Sequence, residues 1–85
     1  MKIDLTKVHV TDVEGKDVVI NLAQHLGNAM YMQGVSLPEC ELGRELYHSQ
    51  GEIEVTAEQA EIIRRFALPL PYVTRTAVQK LLVEQ

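Results

Sequence analysis

Lys7-Val8-His9-Val10-Thr11-Asp12-Val13-Glu14-Gly15-Lys16-Asp17-Val18-Val19-Ile20-Asn21 is the stretch that separates an α+β chain from an all-helical one. Apolar residues roughly alternate on either side of Glu14-Gly15-Lys16, first Val8 and Val10, then Val18 and Ile20, which is the period of a half-buried strand. Gly15 supplies a residue suited to positive φ between the two runs, so the segment reads as a β-hairpin. Upstream, Lys2-Ile3-Asp4-Leu5 also alternates and either extends the first strand or adds a short one.

Downstream the period changes from two to helical. Asn21-Leu22-Ala23-Gln24 is an Asn-x-x-Gln variant of the capping box, and Leu22, Leu26, Ala29 and Met30 form one apolar stripe ending near Gly34, where a helix stop belongs. Gly27 inside this helix costs about 1 kcal/mol relative to Ala, and a close helix approach would explain its presence. Ser36-Leu37-Pro38-Glu39 is a second capping box with Pro in the first turn, opening a helix to about Ser49. Leu42 and Leu46, with Cys40 and Tyr47 as further candidates, supply its inner face, while Glu41, Arg44, Glu45 and His48 lie outward.

Glu52-Ile53-Glu54-Val55 is either a short strand beside the hairpin or an extended lead into the next helix. Thr56-Ala57-Glu58-Gln59 is a third capping box, and Ala60, Ile63 and Ala67, flanked by Ile62 and Phe66, give its helix an apolar face. Leu68-Pro69-Leu70-Pro71 must be a corner, because each Pro drives its predecessor out of the α region. A last helix starts at Pro71 or Thr74 and carries Val73, Ala77, Val78, Leu81 and Leu82 on one side. The expectation is an α+β fold: an N-terminal β-hairpin, with room for a third short strand, packed against about four short helices. No internal repeat, low-complexity segment or linker is expected.

Composition bounds the rest. Eighty-five residues suit one small globular domain over residues 1–85, and 46% hydrophobic residues suffice for its core. With Tyr31, Tyr47, Phe66 and Tyr72 as the aromatics, that core must be largely aliphatic. Cys40 is the single cysteine, so no intramolecular disulfide can form and the thiol reads as a small buried hydrophobe in a reducing compartment. The first residues lack the apolar run of a signal peptide and no stretch approaches a membrane span, which makes a cytoplasmic location the expectation.

Searches for chemistry return little. The glycines are too widely spaced for a phosphate loop, and His9, His25 and His48 fall on three different elements with no His-x-x-x-His pair. Glu39, Glu41, Glu45, Glu52, Glu54, Glu58 and Glu61 read as a solvated acidic face, without the loop pattern of a calcium site. No catalytic residue, metal, cofactor or small-molecule substrate is therefore expected, and the chain reads as a non-enzyme. Charge is uneven: the net charge is −4, yet residues 39–63 oppose seven Glu with Arg44 alone, while residues 64–85 are basic overall. Such a split is a solvated surface, an internal match, or a pair of patches for a protein partner or a second copy, with Glu41, Glu45, Arg64 and Arg65 as its candidate contacts.

A helix-turn-helix over about 57–83 is the alternative, its reader helix presenting Arg75 and Lys80 to DNA. Against it stand the Pro-rich link and the sparse positive charge.

Two stretches, Leu26-Gly27-Asn28-Ala29-Met30-Tyr31 and Glu41-Leu42-Gly43-Arg44-Glu45-Leu46-Tyr47-His48, the latter continuing through Gly51-Glu52-Ile53-Glu54-Val55-Thr56 to Glu58-Gln59, resemble short open reading frames of prophages and related mobile elements. The resemblance spans about residues 8–82 and carries no functional motif, so it implies no active or binding residue. It implies a role among virion-assembly factors, adaptors and small regulators.

Overall fold

Val8 and Ile20 face each other at the open end of a hairpin formed by β2 (Val8–Thr11) and β3 (Asp17–Ile20), the antiparallel ladder continuing through His9–Val19, Val10–Val18 and Thr11–Asp17. The computed structural model describes residues 1–83. The hairpin turn is held by Asp12, whose carboxylate accepts the amides of Glu14 and Lys16, both at 2.9 Å, and Gly15 takes φ +83°. An Asp side chain bonding its own backbone ahead, followed by a positive-φ glycine, is the chemistry that closes such a loop.

A second two-stranded sheet pairs β1 (Lys2–Ile3) with β4 (Ile53–Glu54), antiparallel, with Lys2 opposite Glu54 and Ile3 opposite Ile53. The amide of Val55 extends it by donating to the Met1 carbonyl at 2.8 Å. Residues 52–55 thus join the N-terminal segment and leave the hairpin two-stranded. The reason is geometric: helix α4 (Tyr72–Val83) packs along β2. The turn from β1 into β2 is pinned by the Asp4 carboxylate, which accepts the amide and the hydroxyl of Thr6.

Helices α1 (Ala23–Gln33), α2 (Leu37–His48) and α3 (Ala57–Ala67) complete the order β1-β2-β3-α1-α2-β4-α3-α4, an α+β fold with the hairpin packed on helices. The capping boxes fare differently. Thr56 is realised in full, its hydroxyl accepting the Gln59 amide at 3.1 Å while the Gln59 side chain accepts the Thr56 amide at 2.9 Å. Asn21 sits one position earlier than expected: its side chain accepts the Ala23 amide at 3.1 Å, and Leu22 is the residue at the helix boundary. Ser36 stands at the start of α2 but caps nothing, because its hydroxyl donates to the Glu39 carboxylate at 2.7 Å.

Glu39 itself overturns the expectation of an outward face. It is 6% exposed, held between α2 and α3 by the Arg65 guanidinium at 2.7 Å. A carboxylate this buried needs such partners, and two donors reach it. One continuous core gathers Ile3, Leu5 and Val8 from the N-terminal segment, Leu22 from the boundary of α1, Leu26 and Met30 from α1, Leu42 and Leu46 from α2, Val55, Ile63 from α3, and Val78 and Leu82 from α4. Three expected core residues lie elsewhere: Val73 is exposed, Tyr47 points outward, and Cys40 is only half-buried, its thiol near the Tyr31 carbonyl. Val73 lies in the first turn of α4, beyond the reach of the hairpin that covers Val78.

Candidate protein-interaction face

Helices α1 and α2 are the most closely packed pair in the fold, and two glycines explain why. A Cβ added at Gly27 would lie 2.6 Å from the Gly43 carbonyl oxygen and 2.6 Å from the Tyr47 amide nitrogen. One added at Gly43 would lie 2.6 Å from the Gly27 carbonyl oxygen and 2.7 Å from the Tyr31 amide nitrogen. The contact is reciprocal, so the two helices are related by an approximate two-fold axis through the glycine pair. Its source is a short recurrence that a search for longer repeats passes over: Leu26-Gly27-x-x-Met30-Tyr31 and Leu42-Gly43-x-x-Leu46-Tyr47. Helical geometry then divides each copy. The Leu and the Met or second Leu turn into the core, the Gly meets its counterpart, and the Tyr, four residues on, rises on the solvent side.

The result is a groove of about 290 Å³, floored by Gly27 and Gly43 and walled by Asn28, Tyr31, Arg44, Tyr47 and His48. Tyr31 is 49% exposed and Tyr47 43%. The Arg44 guanidinium lies 6.0 Å from the Tyr31 ring centre, at the outer limit of a cation–π contact. The rings of Tyr47 and His48 meet edge to face at 5.3 Å. Shallower recesses adjoin on both sides, one sharing Arg44 and His48 and reaching Glu41, Glu45 and Ile53, the other sharing Asn28 and Tyr47 and reaching Met32. Together they make one face over the outer surface of α1 and α2.

Polar groups on this face are uncommitted. Among the described residues, the side chains of Asn28, Tyr31, Tyr47 and His48 make no hydrogen bond within the chain, and Arg44, Glu41 and Glu45 make no ion pair. Arg44 could reach Glu41 one turn back, yet it lies over the tyrosine instead. The other arginines differ. Arg64 is paired with Glu61 on its own helix and Arg65 with Glu39, so part of the acid–base split is an internal match.

The sequence-derived candidates are therefore dispersed. Glu41 and Glu45 are exposed on the interaction face, Arg64 and Arg65 sit on α3 with partners of their own, and Arg75 and Lys80 lie on α4. Arg75 is turned back on its own corner, 5.6 Å from the Tyr72 ring centre and 3.5 Å from the Leu68 carbonyl oxygen. Tyr31, Tyr47, Arg44 and His48 were not among the candidates, although the Leu-Gly-x-x-x-Tyr recurrence marks four of the groove residues. Among the described residues no group of three or more His, Cys, Asp or Glu could hold a metal ion, and no helix is long and apolar enough to cross a membrane.

No family model, curated protein or solved structure matches this chain. The reading of the face therefore rests on its chemistry.

Proposed function

We propose that this chain is a non-enzymatic interaction protein, an assembly or accessory component of prophage type, that docks a protein partner on the outer face of α1 and α2. One observation carries the reading: a glycine-floored groove on which two half-exposed tyrosines and an unpaired arginine converge. Tyrosine and arginine are the residues that dominate binding energy at protein interfaces, and they do so from recesses that exclude water. The two-fold relation between α1 and α2 gives the groove a rigid floor of backbone, so binding requires little ordering of the face itself.

The test compares proximity capture in the native host by the wild-type chain and by Tyr31→Ala/Tyr47→Ala, followed by calorimetry with each purified partner found. The reading expects a partner whose binding weakens at least tenfold in the variant. Capture of an identical set of proteins with unchanged affinities would remove it.

A further inference from the structure

The exposed ridge of α2 runs Leu37, Glu41, Arg44, His48, with spacings of four, three and four residues. All four side chains face solvent, Leu37 at 70% exposure. At 100° per residue these positions fall along one line of the helix. The ridge has a property its composition alone does not show: turned end for end and laid on itself, it sets Leu37 against His48 and Glu41 against Arg44. Parallel pairing would instead set each charge against its own kind.

We propose that the chain self-associates through this ridge, two copies of α2 packing antiparallel about a two-fold axis that passes beside the Leu42–Gly43 bond. The inference rests on the reading of the α1 and α2 face as an interaction surface and names a second copy as its occupant. Two observations carry it. Neither Glu41 nor Arg44 has an ion-pair partner among the described residues, although both could find one on their own helix. Both are supplied by the opposite copy, twice over, because the contact is isologous. At each end, Leu37, a large apolar side chain left mostly exposed by its own chain, would meet the edge-to-face corner formed by His48 and Tyr47 of the other copy. The apolar ends provide the attraction and the central charges set direction and register. A contact of one helix pair is small, so the dimer is weak and sensitive to salt.

Sedimentation velocity up to about 1 mM protein, a concentration at which a dimer with a Kd of about 1 mM is half-formed, tests this at low and high salt. The expected result is a dimer whose population rises with concentration and falls with salt. Glu41→Arg alone and Arg44→Glu alone should each be monomeric, since each places like charges in register. Mixing the two variants should restore a dimer, as each supplies the charge the other lacks, and Glu41→Arg/Arg44→Glu together should restore self-association. All of these sites are exposed, so unchanged far-ultraviolet circular dichroism verifies that the variants are folded. A wild-type chain that stays monomeric throughout, single variants that still dimerise, or a mixture that does not, would overturn the proposal. A monomeric wild type whose captured partner is lost in the Glu41 or Arg44 variants overturns self-association while leaving the docking face with a different protein as occupant.

Discussion

Replacing Gly27 by Ala should destabilise the fold, although the same change in an exposed helix would stabilise it. Relief of helix entropy favours Ala by about 1 kcal/mol. Against that, the added methyl lies 2.6 Å from both the Gly43 carbonyl oxygen and the Tyr47 amide nitrogen, where ordinary contact begins at 3.4 Å. Both obstacles are backbone, so no side chain can swing aside and the helices must part by about 0.8 Å. A gap of that size forfeits a quarter to a half of the dispersion energy at the facing atoms, and overpacking of this kind costs about 1–3 kcal/mol. The obstruction is bilateral and rigid, which places the cost at the upper end. The net expectation is a loss of about 2 kcal/mol, or roughly 8–16 °C in Tm for a domain of this size. Urea and thermal unfolding followed by circular dichroism measure it. Gly51→Ala is the control, with open space around its Cβ and no positive φ. Gly43→Ala should match Gly27→Ala, and the double variant should cost clearly less than the two together, since one separation of the helices accommodates both methyls. A Gly27→Ala protein as stable as wild type, or an additive double variant, would refute the reciprocal contact.

Removing Arg65 leaves the buried Glu39 carboxylate with the Ser36 hydroxyl but without its cation, so Arg65→Ala should cost about 1–2 kcal/mol in urea unfolding, whereas Arg64→Ala, which frees an exposed Glu61, should cost under about 1 kcal/mol. Thr56→Ala should cost about 1 kcal/mol by the same assay, and adding Gln59→Ala should cost more again, because the backbone amide of residue 56 still donates to the Gln59 side chain after the first change. For the rival reading of residues 57–83 as a DNA-binding unit, fluorescence anisotropy with duplex DNA at low salt decides: the interaction reading expects no salt-sensitive binding, and an affinity lost in Arg75→Ala/Lys80→Ala would favour the rival.

Local chemistry explains which parts of this fold could be read in advance. The turn at Asp12–Lys16, the hairpin on either side of it and the cap at Thr56 each depend on residues adjacent in sequence, so their signals lie within one window. The close approach at Gly27 could be anticipated because a mid-helix glycine demands a reason; that its partner is Gly43 could not, since the pairing depends on how two helices are apposed. Glu39 shows the limit from the other side. Its position in the first turn of α2 looks outward by periodicity, and Ser36 looks like its reciprocal cap, but Arg65 on α3 draws the carboxylate inward and Ser36 follows it. The same distance effect hid the interaction face. Charge runs in the sequence pointed to Glu41 and Glu45 on one side and Arg64 and Arg65 on the other, while the groove is assembled from Tyr31 and Tyr47, neutral residues on two helices.

The pairing of β1 with β4 constrains the order in which this chain can fold. Ile3 finds its strand partner only at Ile53, while the α1 and α2 pair closes within a span that ends at His48. On the ribosome the N-terminal strand must therefore wait, unpaired and with the core side chain of Ile3 uncovered, until the residues after Gly51 emerge. Loop closure over so long a span favours a nucleus in the helical pair, with the terminal sheet closing late. Substitutions at Gly27 or Gly43 would then slow folding, and substitutions at Ile3 or Ile53 would chiefly speed unfolding, so the small sheet serves as the latch that sets how long the native state persists.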